Sequence, residues 1–134
     1  MNTVAKILAG LAGLFHVLFF VMESFLWKTP AVMKLFQQTS QTIEFTTVLA
    51  YNQGFYNLFL AIGVFVGLFL MRSSERAREG LAVVAFCLLS MFGASVILLV
   101  STGKIAGTVI QGAPPAIGLV LLWLAHSSTE SSDT

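Results

Sequence analysis

GLAVVAFCLLSMFGASVILLV, residues 80–100, runs for twenty-one residues without a charge. A helix needs roughly 20 mostly apolar residues to cross the hydrocarbon core of a bilayer, and this stretch supplies them. Three more runs of the same kind lie at about 4–26, 48–71 and 105–125. None alternates apolar with polar residues, as the strands of a membrane β-barrel do. The fold class that follows is all-α: a single four-helix transmembrane domain covering residues 1–134, an integral membrane four-helix bundle. Between the runs lie a long mixed link at 27–47, a charged hairpin RSSERARE at 72–79 and a tight turn STGK at 101–104. The Ser/Thr-rich acidic end, 127–134, reads as a disordered tail.

Composition agrees with lipid as the solvent. The chain has 134 residues, 57 % of them hydrophobic and 10 % charged, where soluble domains are about a quarter charged. One core of this size could not hide so much apolar surface from water. The net charge of +1 gives no reason to expect nucleic acid as a partner. The lone Cys87 excludes an internal disulfide framework and a cysteine metal cluster. No cofactor is indicated.

Lys6 ahead of an apolar run has the flavour of a signal peptide. The run is too long, however, ends in Glu23 and Trp27, and lacks a small-residue exit, so it reads as a retained helix. An even helix number puts both termini on one side, together with Lys6, Arg72, Arg76 and Arg78; Lys28, Lys34 and Lys104 fall on the other. The excess of Lys and Arg marks the cytoplasmic side. The expectation is a multi-pass protein of a bacterial inner membrane with both termini cytoplasmic.

The polar residues inside the runs carry the functional information. His16 and Glu23 are seven residues apart, nearly two helical turns, and share a face with Ala5, Ala9 and Ala12. Ile7, Leu11, Leu14, Leu18, Val21 and Phe25 fill the opposite side. In a membrane, small residues permit close helix contact and polar ones turn away from hydrocarbon, so His16 and Glu23 should point into the bundle. The second run opens Tyr51-Asn52-Gln53-Gly54-Phe55-Tyr56-Asn57 and carries Gly63 and Gly67 in a small-xxx-small pair. The fourth holds Gln111 ahead of Pro114 and Pro115, which remove backbone donors and predict a kink. Counted along the helices at 1.5 Å per residue, Glu23, Asn52, Gln53, Asn57, Gln111 and Ser95 fall in the outer half of the bundle, with His16 roughly 10 Å deeper than Glu23. Trp27 has the position of an interfacial belt residue. After Pro30, residues Val32, Leu35 and Phe36 follow at helical spacing, which suits either a short interfacial helix or a loop packed over the bundle mouth.

Buried amides often do no more than join helices, at about 0.6 kcal/mol per membrane hydrogen bond. An ionisable residue is different. A charge at mid-membrane costs about 2.5–3.5 kcal/mol on insertion scales and marks a functional candidate. The expected site is therefore His16, Glu23, Trp27, Asn52, Gln53, Tyr56, Asn57 and Gln111, with His16 and Glu23 as the catalytic pair if the protein is an enzyme. One His and one Glu make a poor metal ligand set, so no metal site is expected.

The segment from His16 through Glu23, Phe25, Trp27, Pro30 and Phe36, followed by the Asn-Gln-Gly-x-Tyr-Asn string and Leu60-Ala61, resembles the small bacterial membrane proteins grouped as domain of unknown function 1304. The likeness covers nearly the whole chain. It implies a four-helix, membrane-embedded protein and supplies no substrate. In outline the plan is also similar to the DoxX-like group, a fold-level analogy.

Three functional classes follow. The first is binding or carriage of a small lipophilic molecule of lipid, quinone or isoprenoid type. The second is proton-transfer chemistry of isomerase kind by His16 and Glu23. The third is a structural or assembly subunit with Gly63, Gly67 and the small face of the third helix as contact surfaces. The expected partners are the lipid bilayer, such a ligand, and, left open by the sequence, further copies of the chain.

Overall fold

The computed structural model describes the backbone of residues 3–130 and the side chains of 3–124. Five helices follow one another: α1 Thr3–Ser24, α2 Pro30–Leu35, α3 Ile43–Leu70, α4 Ala77–Thr102 and α5 Ile105–Glu130. Among the described residues there is no strand, and α1, α3, α4 and α5 are long and apolar enough to cross a membrane. The chain is a multi-pass membrane protein with a four-helix bundle. The backbone of 127–130 continues α5, and 131–134, the remainder of the expected tail, lie outside the described residues.

Helix ends have local causes. Pro30 opens α2 at a position where its missing N–H is not needed. Phe36 ends α2, and Gln37 turns to a φ of 56°. The Gln37 and Gln38 N–H groups donate back to the Lys34 and Met33 carbonyls at 3.3 and 2.8 Å, the two bonds of a Schellman cap. Helix α3 starts at Ile43, five residues before the expected 48, because Thr39 and Thr42 exchange reciprocal side-chain-to-backbone bonds and build the preceding turn. Gly103, at φ 68°, caps α4 through a 2.8 Å bond to the Leu99 carbonyl. Helix α5 runs through both prolines, which are buried.

The four long helices form a ring in which α1 packs on α3 and α5, and α4 packs on α3 and α5, while the diagonal pairs barely touch. Small residues set the seams. Ala5, Ala9, Ala12 and Gly13 are buried on α1 together with His16, and Ile7, Leu14, Leu18 and Phe25 face outward. A Cβ at Gly67 would lie 2.8 Å from the Gly80 carbonyl, and one at Gly63 would lie 2.5 Å from Cys87 Sγ. A Cβ at Gly112 would collide with Ser95. Lipid tails are as apolar as Leu, so such seams gain from close van der Waals contact rather than from escape from water. The central cluster is Ala9, Ala12, Val64, Val84, Cys87, Leu88 and Met91. A second cluster of Trp27, Val32, Ile43 and Ala50 sits where α2 folds over one end of the bundle. The segment after Pro30 is thus both a short helix and a lid packed on the mouth. Lys104, in the α4–α5 turn, donates to the Phe36 carbonyl at 3.0 Å and ties that lid to the far side of the bundle.

Candidate functional site

Gly54 positions the site. A Cβ there would collide with Ser24 Oγ and come within 3.2 Å of the Phe20 carbonyl oxygen and 3.3 Å of Glu23 Cβ. Without a side chain at 54, α3 approaches the last turn of α1 closely and leaves Ser24 and the Phe20 carbonyl undisturbed. Three residues on, on the same face, Asn57 is buried and its Nδ2 donates to Glu23 Oε2 at 2.7 Å. An acid of one spanning helix is thereby held by an amide of the next. A carboxylate away from water needs such donors. Gly54 lies inside the polar string, but its packing role could not be read without knowing which helix faces it.

Glu23 opens onto a groove of about 550 Å³ between the end of α1, the lid and the first turns of α3. Trp27, Gln38 and Thr46 line it from the lid side, and Asn52, Gln53 and Tyr56 line it along α3, with Leu49 and Ala50 between. Asn52, Gln53 and Tyr56 are exposed on the outside of α3 rather than buried in the bundle with Asn57. The reason is angular: Asn57 follows Gly54 onto the α1 seam, while 52, 53 and 56 fall on neighbouring faces. Among the described residues their side chains make no hydrogen bond. A narrower groove of about 210 Å³ also touches Glu23, with Trp27, Phe25, Tyr51 and Lys28 in its lining.

The lid side of the wide groove is fixed by hydrogen bonds. Trp27 is buried rather than standing in a lipid-facing belt, because its Nε1 donates to Thr46 Oγ1 at 3.2 Å and its ring packs on Phe36, centroids 4.9 Å apart. Thr46 Oγ1 in turn donates to Gln38 Oε1 at 3.0 Å. Gln38, Thr46 and Leu49 were not among the expected residues; Gln38 lies in the link between α2 and α3, Thr46 and Leu49 in the first turns of α3, and the fold of that link over Glu23 has no signature in local sequence.

His16 and Gln111 stand apart. His16 is 1 % exposed and points inward as expected, with Nδ1 donating to the Ala12 carbonyl at 2.9 Å and its ring edge-on to Phe19. Its Nε2 is buried without a partner among the described residues, and His16 lines neither groove. Gln111 is half-buried beside the Gly112–Ser95 contact and lines neither groove. The structure thus brings together Glu23, Asn57, Trp27, Asn52, Gln53 and Tyr56, and leaves His16 and Gln111 outside.

Over residues 10–123 the chain matches the family described as protein of unknown function DUF1304, and it belongs to that family. No curated protein and no solved structure matches the chain.

Proposed function

We propose that this protein binds or carries a small lipophilic molecule whose polar end sits at Glu23 in the groove beneath the lid. The observation that carries the reading is the Glu23 carboxylate, fixed by Asn57 at 2.7 Å and facing a groove of about 550 Å³. That groove offers three polar side chains, Asn52, Gln53 and Tyr56, with no other hydrogen-bonding duty among the described residues. Its volume is in the range of small-molecule sites. Its polar groups lie at one end of spanning helices whose outer faces are apolar, which suits an amphiphile with its tail among lipids. Orientation follows the Lys and Arg distribution, with both termini cytoplasmic in a bacterial inner membrane and the lid on the outer side; a C-terminal reporter active only in the periplasm would reverse it.

The other two readings have less behind them. Proton-transfer chemistry needs His16 and Glu23 on one substrate, and His16 lines neither groove that touches Glu23. An assembly role was to use Gly63 and Gly67, whose small faces are occupied inside the bundle by Cys87, Val84 and Gly80.

Extraction of the protein purified in lipid nanodiscs, followed by mass spectrometry of the organic phase, tests the binding reading. The expected result is an apolar compound retained by the wild type and depleted in both Glu23→Gln and Gln53→Leu. Identical extracts from wild type and both variants would overturn it.

A further inference from the structure

The charges around Glu23 narrow the chemistry of what it holds. Asn57 is its one hydrogen-bond partner among the described residues, and an amide brings no positive charge. No Lys or Arg lines the wide groove. Lys28 lines the narrow one beside Glu23 and pairs there with Glu44, its Nζ 2.8 and 2.9 Å from the two carboxylate oxygens, so it brings no net positive charge to that side. Lys104 lines neither groove. In the wide groove an anionic head group would therefore meet the Glu23 carboxylate with no cation among the described lining residues.

The remaining lining fits a cation. Trp27 and Tyr56 stand with Glu23 in the wide groove, and Trp27, Tyr51 and Phe25 stand with it in the narrow one, so aromatic rings border the carboxylate on both sides. A carboxylate among aromatic faces is the environment that attracts an ammonium, by charge and through the ring quadrupoles. The amide oxygens of Asn52 and Gln53 can accept N–H donors from the same head. Resting on the reading of the groove as a binding site, we propose that the ligand is an amphiphile whose polar end is an organic ammonium. Two sources share this chemistry: a free lipophilic amine, and an ammonium-bearing lipid head group.

Trp27 reports directly in a Trp123→Phe background, since the chain has two tryptophans. The protein would be placed in phosphatidylglycerol nanodiscs, which contain no ammonium, and titrated with dodecyltrimethylammonium, with phosphatidylethanolamine, and with neutral dodecyl glucoside. The expected result is a saturable Trp27 fluorescence change with one or both cations, weakened about thirtyfold or more by Glu23→Gln, as for loss of one partner of a desolvated charge pair. A response to dodecyltrimethylammonium assigns a free ammonium amphiphile held by charge and ring faces, and one to phosphatidylethanolamine assigns a lipid head. Tyr56→Leu, at an exposed position, serves as a second variant. It should weaken cation binding about threefold to thirtyfold through loss of a ring face and leave the glucoside unaffected. Should the neutral glucoside bind equally well and with the same Glu23 dependence, the ammonium assignment fails while the binding site stands. Absence of any Glu23-dependent or Tyr56-dependent response would remove both.

Discussion

Gly80→Ala probes the contact that sets the α3–α4 seam. An added Cβ would lie 2.5 Å from the Gly67 carbonyl oxygen, 2.7 Å from Met71 Cγ and 2.9 Å from the Met71 nitrogen. Ordinary contact starts at 3.4 Å, so the nearest pair must open by about 0.9 Å (3.4 − 2.5). Two of the three obstructing atoms are backbone and cannot rotate away. A gap of about 0.5–1 Å forfeits a quarter to a half of each dispersion contact, and the seam includes the fully buried Val64 and Val84. Overpacking of this kind costs about 1–3 kcal/mol. Gly93→Ala is the control, since a Cβ there meets nothing within 4 Å. Both changes share the helix-propensity gain of Gly to Ala, about 0.8–1 kcal/mol, so their difference isolates the clash. We expect Gly80→Ala to be less stable than Gly93→Ala by about 2 kcal/mol, measured by reversible unfolding in mixed micelles of rising dodecyl sulfate content and followed by circular dichroism. Equal stability of the two variants would refute the close approach of α3 and α4.

Asn57→Leu removes the donor to Glu23 and should lower stability in the same assay by about 0.6–1.7 kcal/mol, the range of membrane hydrogen bonds; no loss would mean that the pair contributes nothing. His16→Met replaces a buried ring, whose Nε2 has no partner among the described residues, with a flexible apolar side chain, so stability should change by less than about 1.5 kcal/mol, and a larger loss would show that the ring serves a structural bond through Nδ1 or Nε2. Lys28→Ala breaks an ion pair whose side chains are 54 % and 70 % exposed, and melting should show a change within the about 0–1 kcal/mol of surface pairs. Lys104→Met cuts the tie to the Phe36 carbonyl; hydrogen exchange of α2 amides should accelerate severalfold while the α4 core stays protected, and uniform exchange rates would refute the lid tie.

Much of the architecture was legible because a bilayer imposes length and polarity rules on each segment separately. Four apolar runs gave the four spanning helices, and the small-residue stripe of α1 gave its inward face, Ala5, Ala9, Ala12 and His16. Boundaries were less legible: α3 begins at Ile43 because Thr39 and Thr42 build a turn that hydropathy does not register. The candidate site was half legible. Glu23 and Asn57 stood out as polar groups in apolar runs, since hydrocarbon penalises each one wherever its partner is. Their bond, however, required Gly54 to meet the end of α1, and a sequence does not state which face of one helix meets another. The same limit separated His16 and Gln111 from the groove, although depth alone placed Gln111 level with it.

That this chain crosses a membrane with four helices, and which polar groups must turn away from lipid, is set by residue order alone, because transfer into hydrocarbon is a property of each segment taken singly. Only the tertiary structure decided that Glu23 is held by Asn57, that Trp27 folds inward under a lid fastened by Lys104, and that Asn52, Gln53 and Tyr56 line an open groove. Those outcomes depend on the rotation and register of one helix against another, which close packing at Gly54, Gly67, Gly80 and Gly112 fixes.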